Sequence, residues 1–432
     1  MRLNLYRGGV EYLPRIVDRQ LDRLLAGLPA VAIEGPKAVG KTATAGRRVA
    51  TAVSLDDVSE ITLMRDDEKR LGRLAKPLLI DEWQHYPPVW DRVRHEVDAG
   101  AAPGTYLMAG SSFPAEAPKH SGAGRIVTVR MRPLSLAERG LVMPTVSLAT
   151  MLAGGADIAG DCSLTLDDYT AEITRSGFPA IRALSADVRP DVLDGYLATV
   201  VDRDFADAGR PVRRPQTLRS WLAAYAAATS TSAAYNVILD AATPGLPDKP
   251  SRATIVAYRK ILQRMWLLEE LPAWTGSRNL LASLRQAPKH HLADPALAAR
   301  LLGVTDRTLL AKPDPGVVSV PRDGTLLGAL FESLVTMSAR VYADPIRATV
   351  SHLRTQRGDH EVDLIITGDD GAVVALEVKL GAAPNDRDVR HLTWLRDQLG
   401  DDLVDLAVIT TGPSAYRRPD GIAVIPAALL GP

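Results

Sequence analysis

The chain has 432 residues, too many for one ordinary domain, and the expected organisation is roughly two to four. Its 46% hydrophobic share is that of a folded protein, and 51 basic against 51 acidic residues leave a formal net charge of +0, so no global basic field announces nucleic acid and any such surface must be a local patch. Cys162 is the only cysteine, which excludes an intrachain disulfide and a cysteine-based zinc cluster and favours a reducing cytoplasm.

Met1 to Arg7 is interrupted by charge and lacks the apolar core of a signal peptide. No uninterrupted apolar stretch reads as long enough to span a bilayer, so a cytoplasmic location without a membrane partner is expected. Between Tyr12 and Leu28, the residues Leu13, Ile16, Leu21, Leu24 and Leu25 recur at helical spacing, and Pro14 suits a first turn. Arg15 and Arg19 would either touch a ligand or solvate the outer face; the spacing favours the second.

Ala30 to Ile33 is a short apolar run that reads as a buried strand, followed by Gly35-Pro36-Lys37-Ala38-Val39-Gly40-Lys41-Thr42 and then a segment able to continue as a helix. Strand, G-x-x-x-x-G-K-T loop and helix is the context that a phosphate-binding loop needs. Gly35 and Gly40 are expected to supply positive-φ geometry, so that the loop's N–H groups converge on phosphates at the positive end of the helix. Lys41 would neutralise phosphate charge, and the Thr42 hydroxyl would ligate Mg²⁺. The bland alternative is a glycine-rich turn with a stray lysine. It loses weight to the next motif, Pro77-Leu78-Leu79-Ile80-Asp81-Glu82-Trp83, an apolar run ending in two acids. Asp81 would hold the metal and Glu82 would orient or deprotonate the attacking water, because phosphoryl transfer is mainly positioning and charge stabilisation.

Further elements alternate. Thr51 to Asp56 reads as a strand, Ile61 to Leu74 as a charged helix, Val89 to Ala99 as a helix, Thr105 to Ser112 as a strand with a polar tip, and Arg125 to Met131 as a strand. This alternation argues a parallel sheet with its ligand beyond the carboxyl ends of the strands. Ser111 or Ser112 is then placed to sense a γ-phosphate. Arg125 could serve a neighbouring subunit as an arginine finger, although an arginine opening a strand is common.

Taken in order, Glu34 to Thr42, Leu79 to Gln84, Ala109 to Ser112 and Arg132-Pro133-Leu134-Ser135-Leu136-Ala137-Glu138 resemble a widespread prokaryotic group of AAA-type ATPases. The likeness continues through Ser176-Gly177-Phe178-Pro179-Ala180 and through Tyr196 with Arg203-Asp204. The resemblance implies ATP and Mg²⁺ as ligands and a C-terminal half classed as a domain of unknown function.

Residues 142–161 are rich in Ala, Gly and Leu and read as a loop or linker, and Cys162 as an inert apolar residue. Asp167 to Thr174 and Arg189 to Asp207 look helical; Arg203 and Asp204 would contact nucleotide from a lid or serve structure, with structure favoured. Three helices follow, at Leu218 to Tyr225, Ala233 to Ala242 and, after the Pro244-Gly245 turn, Ser251 to Leu268 with Ser251 as N-cap. With Glu269 to Trp274 as a strand they make a winged-helix module. Arg252, Arg259, Lys260 and Arg264 on the third helix suit DNA phosphates or a solvated face, and a protein partner is the rival use. Leu280 to Gln286 follows. The adjacent His290 and His291 point apart on a strand and should not share a metal. Gly303 to Thr325 reads as a flexible connection.

The last stretch carries a second constellation. A helix opening near Gly328 bears Glu332; the strands Glu361 to Ile366 and Val373 to Lys379 bear Asp363 and Glu377-x-Lys379, whose period of two puts Glu377 and Lys379 on one face. The arrangement resembles the PD-(D/E)xK nuclease core, which implies a possible second metal site and water activation by Lys379. The rival is a surface Glu377–Lys379 pair. Helix Asn385 to Leu399 and strand Leu406 to Thr410 would complete the unit.

The fold class expected is therefore α/β: a P-loop NTPase parallel sheet over 1–140, a helical lid or linker over 141–210, a winged-helix-like module over 211–275 and a nuclease-like α/β domain over 276–432. The expected function is a Mg²⁺-dependent ATPase coupled to DNA- or protein-binding output, with oligomers possible. An ATP-gated nuclease and a non-hydrolysing switch are the alternatives.

Overall fold

A computed structural model describes residues 12–112, 122–205, 214–243, 250–276, 287–311, 324–355 and 358–432. The expectations for Met1 to Arg7, the Pro244-Gly245 turn and Leu280 to Gln286 lie outside them.

The strands β1 (Ala30–Glu34), β2 (Thr51–Ser54), β3 (Leu78–Asp81), β4 (Tyr106–Gly110) and β5 (Ile126–Arg130) form one sheet in the order β2-β3-β4-β1-β5. Every pairing in it is parallel. The central strands are apolar along their length because both faces are covered. Alternate residues serve opposite faces. Ala30, Ala32, Leu78, Ile80, Tyr106 and Met108 pack with Trp90 and Val93 of the helix Pro88–Asp98 in a small core. Val31, Ile33, Leu79, Leu107 and Ala109 join the large core that runs on into the rest of the chain. The expected Ile61 to Leu74 helix is two, Val58–Asp66 and Arg70–Arg73.

Residues 142–161 are not a free linker. They contain β6 (Val146–Ser147), a helix Leu148–Leu152 capped by the Ser147 side chain, and β7 (Gly160–Asp161). The C-terminal strands are β8 (Thr349–Arg354), β9 (Glu361–Thr367), β10 (Val373–Val378), β11 (Leu403–Thr410), β12 (Ser414–Arg417), β13 (Ala423–Pro426) and β14 (Leu430–Gly431). They build a mixed sheet ordered β7-β12-β13-β11-β10-β9-β8, while β14 pairs separately with β6. The presumed linker thus supplies strands to C-terminal partners, its Leu148 and Met151 being fully buried. Glycine-rich composition concealed this, since β6 and β7 are each two residues long.

The three expected helices occur at Pro215–Ala227, Tyr235–Ala242 and Arg252–Arg264, the last capped by Ser251. Glu269 to Trp274 forms no named strand; isolated bridges join Leu268 to Leu292, Leu271 to Lys289 and Ala273 to His352. Part of Gly303 to Thr325 is helical, at Asp306–Leu310, and the long helix Gly324–Ala343 begins before the expected start. Residues Leu326–Ile346, interrupted by Glu332, Arg340 and Asp344, are long and apolar enough to cross a membrane by length and composition, but 78% of the window is buried inside the protein. Leu330, Phe331 and Leu334 are fully buried there, so the helix serves as a core element. Arg132, just past β5, ties the first sheet to the later halves through ion pairs with Glu269 and Asp344.

Candidate nucleotide site and a second carboxylate cluster

The loop between β1 and the helix Lys41–Gly46 is shaped by two glycines for different reasons. Gly40 has φ 102° and Ala38 φ 65°, so the positive-φ positions are 38 and 40. Gly35 is absent from that class, contrary to expectation: a Cβ there would lie 2.1 Å from the Met131 carbonyl oxygen, so its need is space beside β5.

Lys41 is buried, and its Nζ donates to the Gly35 and Pro36 carbonyl oxygens at 2.9 Å each. Burial pulls its ammonium down to about 8, against the opposing pull of Glu82 and Asp81. The Thr42 hydroxyl donates to Asp81 Oδ2 at 2.7 Å, which brings the loop and the end of β3 together. Burial raises the Asp81 carboxyl to about 6, partly offset by the Thr42 hydrogen bond. Asp81 Oδ1 is buried with no hydrogen-bond partner among the described residues. Beside the Thr42 hydroxyl and the loop, this unpartnered carboxylate oxygen can take a metal ion. The residues therefore fit a magnesium nucleotide.

Glu82 sits in the left-handed region, φ 50°, directly after β3. Its Oε2 accepts from Ser111 Oγ at 2.8 Å and from Gln84 Nε2. Gln84 also donates to Ser111 Oγ at 3.1 Å. Ser111, expected as a phosphate sensor, thus holds Glu82 in place. Lys37 Nζ reaches Asp204 Oδ1 at 2.6 Å, across to the π-helical turn Val200–Asp204. Asp204 therefore meets the loop itself.

Sequence reasoning missed Arg15. It is buried, not solvating an outer face: Nε donates to Glu138 Oε1 at 3.0 Å, NH1 to the Val39 carbonyl at 3.0 Å and NH2 to the Arg132 carbonyl at 2.6 Å. Arg19 is exposed as expected. The Ser176-Gly177-Phe178-Pro179 stretch is a joint between the segment after β5 and Asp294. Asp294 Oδ2 accepts from Ser176 Oγ at 2.6 Å and from the Gly177 amide at 2.7 Å, and a Cβ on Gly177 would come within 3.0 Å of the Leu134 amide. For Arg15 the only sequence signal was a basic residue in an apolar helical pattern, whereas the Ser176 stretch was marked by its family resemblance alone. Arg125 pairs with Asp98 at 2.9 Å.

On the third of the three helices, Arg259 lies 4.1 Å over the Tyr235 ring and pairs with Glu270, while Arg252 and Lys260 are exposed. His290 and His291 are buried and bond to different partners, the Ala233 carbonyl and Ser333.

The second constellation comes together. Glu332 on the long helix, Asp363 on β9 and Glu377 on β10 are gathered at the β9–β10 hairpin, whose pairing runs Leu376 opposite Leu364. Lys379 Nζ binds Glu377 Oε1 at 2.6 Å, on the same face as period two requires. Glu377 Oε2 is buried without a partner among the described residues. What the sequence did not reveal is Lys289, 1% exposed, whose Nζ is 2.9 Å from Glu332 Oε1, 3.0 Å from Glu361 Oε1 and 2.9 Å from Asp363 Oδ1. Asp363 Oδ2 accepts from the Val378 amide at 2.9 Å. Burial pushes the Asp363 carboxyl up, but Lys289, Lys379 and that amide outweigh it and leave it below its ordinary value. Burial and the Asp363 charge lift both Glu332 and Glu377 to about 8.

Residues 28–139 match a family described as AAA domain, which supports an AAA-type P-loop ATPase domain over that stretch. Residues 166–308 and 327–430 match two domains of unknown function, DUF8612 and DUF4143. The uncharacterized proteins Rv2008c of Mycobacterium tuberculosis and Mb2031c of Mycobacterium bovis are each 25% identical over 420 residues, covering 94% of this chain and 82% of theirs. Among solved structures, a Walker-type ATPase of Pyrococcus abyssi aligns at 13% identity and TM-score 0.33, over 70% of this chain and 99% of its own. The Aeropyrum pernix ORC2 protein aligns at 14% and 0.31, over 71% and 96%.

Proposed function

We propose that the chain is a Mg²⁺-dependent ATP-binding protein that hydrolyses ATP and passes its nucleotide state to its helical and C-terminal parts. The observation that carries this reading is the convergence of Lys41, Thr42 and Asp81, with one Asp81 oxygen buried and unpartnered. A bound magnesium nucleotide would supply the electrophilic phosphorus and the countercharge. Lys41 binds phosphate oxygens in place of the loop carbonyls it now meets. Thr42 and Asp81 hold the metal. Glu82, oriented through its Oε2 by Ser111 and Gln84, keeps Oε1 for positioning a water and taking its proton.

ATP affinity and turnover of wild type, Lys41→Ala and Glu82→Gln test the assignment. Lys41→Ala should lose ATP binding. Glu82→Gln should keep binding and lose about 10²–10⁴-fold in turnover, the usual share of a positioned general base. Wild-type-like ATP affinity in Lys41→Ala refutes the site.

The output reading is a winged-helix-like module at 211–275 that binds a partner. Of its four third-helix cations Arg259 is engaged internally, so a DNA contact would rest mainly on Arg252 and Lys260, and we take a protein partner as the working choice. Sequence-independent DNA binding that weakens steeply with salt and is lost in Arg252→Ala/Lys260→Ala would reverse that preference.

A further inference from the structure

Carboxylates drawn together away from water need a counterion, and a cluster without one expels its charge by taking up protons. Here the counterion is part of the chain. Lys289 reaches Glu332, Glu361 and Asp363 at 2.9–3.0 Å, donating hydrogen bonds to Glu332 and Asp363. It is fixed there by its own backbone, whose amide and carbonyl both pair with Leu271 at 2.9 and 2.8 Å. The side chain is 2% exposed.

A divalent cation needs the same oxygens at about 2.0–2.6 Å. Asp363 offers one oxygen to Lys289 and the other to the Val378 amide, and Glu377 offers one to Lys379. A metal ion entering the cluster would sit against an ammonium that shares its ligands, and the two positive charges would repel across a buried space. The acids that resemble a nuclease centre therefore do not fit a metal while Lys289 is present. The buried, unpartnered Glu377 oxygen is a single donor, too few for a site by itself.

We propose that Lys289 is the resident cation of this cluster, so that the chain takes no divalent ion there and the C-terminal domain does not cut nucleic acid. This inference is independent of the ATPase reading.

Mn²⁺ titration followed by electron paramagnetic resonance tests it on the full chain, in a Thr42→Ala/Asp81→Asn background that silences the nucleotide-metal position. With Lys289 intact, no Mn²⁺ should bind at the cluster. Lys289→Met should gain one Mn²⁺ site, about tenfold tighter or more than any residual Mn²⁺ binding by the Lys289 chain, as the competing ammonium is gone, and further change of Asp363→Asn should remove it. A Mn²⁺ site in the Lys289 chain that Asp363→Asn abolishes overturns the proposal. So does a folded Lys289→Met chain, checked by circular dichroism, that gains none. If Lys289→Met does not fold alone, recovery of its native spectrum on adding Mn²⁺ supports the proposal, and failure to recover counts against it.

Discussion

Replacing Arg15 by alanine tests whether the N-terminal helix holds the nucleotide loop or only covers the sheet. Arg15 is 6% exposed, and its guanidinium makes charged hydrogen bonds to the Val39 carbonyl, the Arg132 carbonyl and Glu138. Removing one partner of a buried ion pair costs about 3–5 kcal/mol, mainly because the other charge is stranded. Glu138 is not fully stranded here: it keeps the Ile16 amide, the Ser135 amide and the Ser135 hydroxyl as donors. The lower end, about 3 kcal/mol, is therefore expected, which for a domain of this size lowers the melting temperature by roughly 6–12 °C. Arg19→Ala, four residues on and exposed, should change stability by no more than about 0.5 kcal/mol. Because Val39 lies inside the phosphate loop, Arg15→Ala should also weaken binding of a non-hydrolysable ATP analogue by about tenfold, equivalent to 1.4 kcal/mol of lost preorganisation. Differential scanning fluorimetry and calorimetric titration read the two effects. Arg15→Ala indistinguishable from Arg19→Ala in melting refutes the buried-strut account. A lowered melting temperature with unchanged analogue affinity refutes its link to the loop.

Two further outcomes follow from the same site. Asp204→Asn frees Lys37 from its 2.6 Å ion pair; because the Lys37 side chain is 46% exposed, the pair is worth no more than about 1 kcal/mol, and ATP-analogue affinity should rise by up to about fivefold. A fall in affinity would instead make Asp204 a positive contributor to nucleotide binding. The Asp81 carboxyl, raised to about 6 by burial, binds its proton more tightly folded than unfolded. Its contribution to stability is thus full below its ordinary range and is lost as pH rises through 6, by about 3 kcal/mol for a shift of this size. Without nucleotide, Asp81→Asn should melt above wild type at about pH 7, with the gap closing toward pH 5; a gap independent of pH excludes Asp81 as its source. Mg²⁺-dependent nucleotide affinity in wild type should fall over the same window as Asp81 is protonated, and a flat profile would show that the metal does not use it.

The parts of the fold legible in the sequence were those where one local pattern decides the outcome. The β1 run, the G-x-x-x-x-G-K-T loop and the β3 acids each satisfy a short-range rule, so the parallel sheet and its ligand end could be read from them. The β9–β10 hairpin was legible for the same reason, since period two fixes Glu377 and Lys379 together once a strand is granted. What escaped was decided by partners far along the chain. Residues 142–161 look like linker because β6 and β7 exist only through pairing with β14 and β12, more than 250 positions later. Arg15 and Lys289 were overlooked or undervalued because a lone basic residue reads as solvated unless its acids are known to be adjacent, and Glu138 lies 123 positions from Arg15 while Asp363 lies 74 from Lys289. Both cases have one physical cause. A buried cation is tolerated only where the fold brings carboxylates or carbonyls to it, so its position is a statement about tertiary structure that no local window contains. That makes Lys289 more informative than the acids around it: Glu332, Asp363 and Glu377 alone are compatible with a metal, and the ammonium among them is the ground for proposing that none binds.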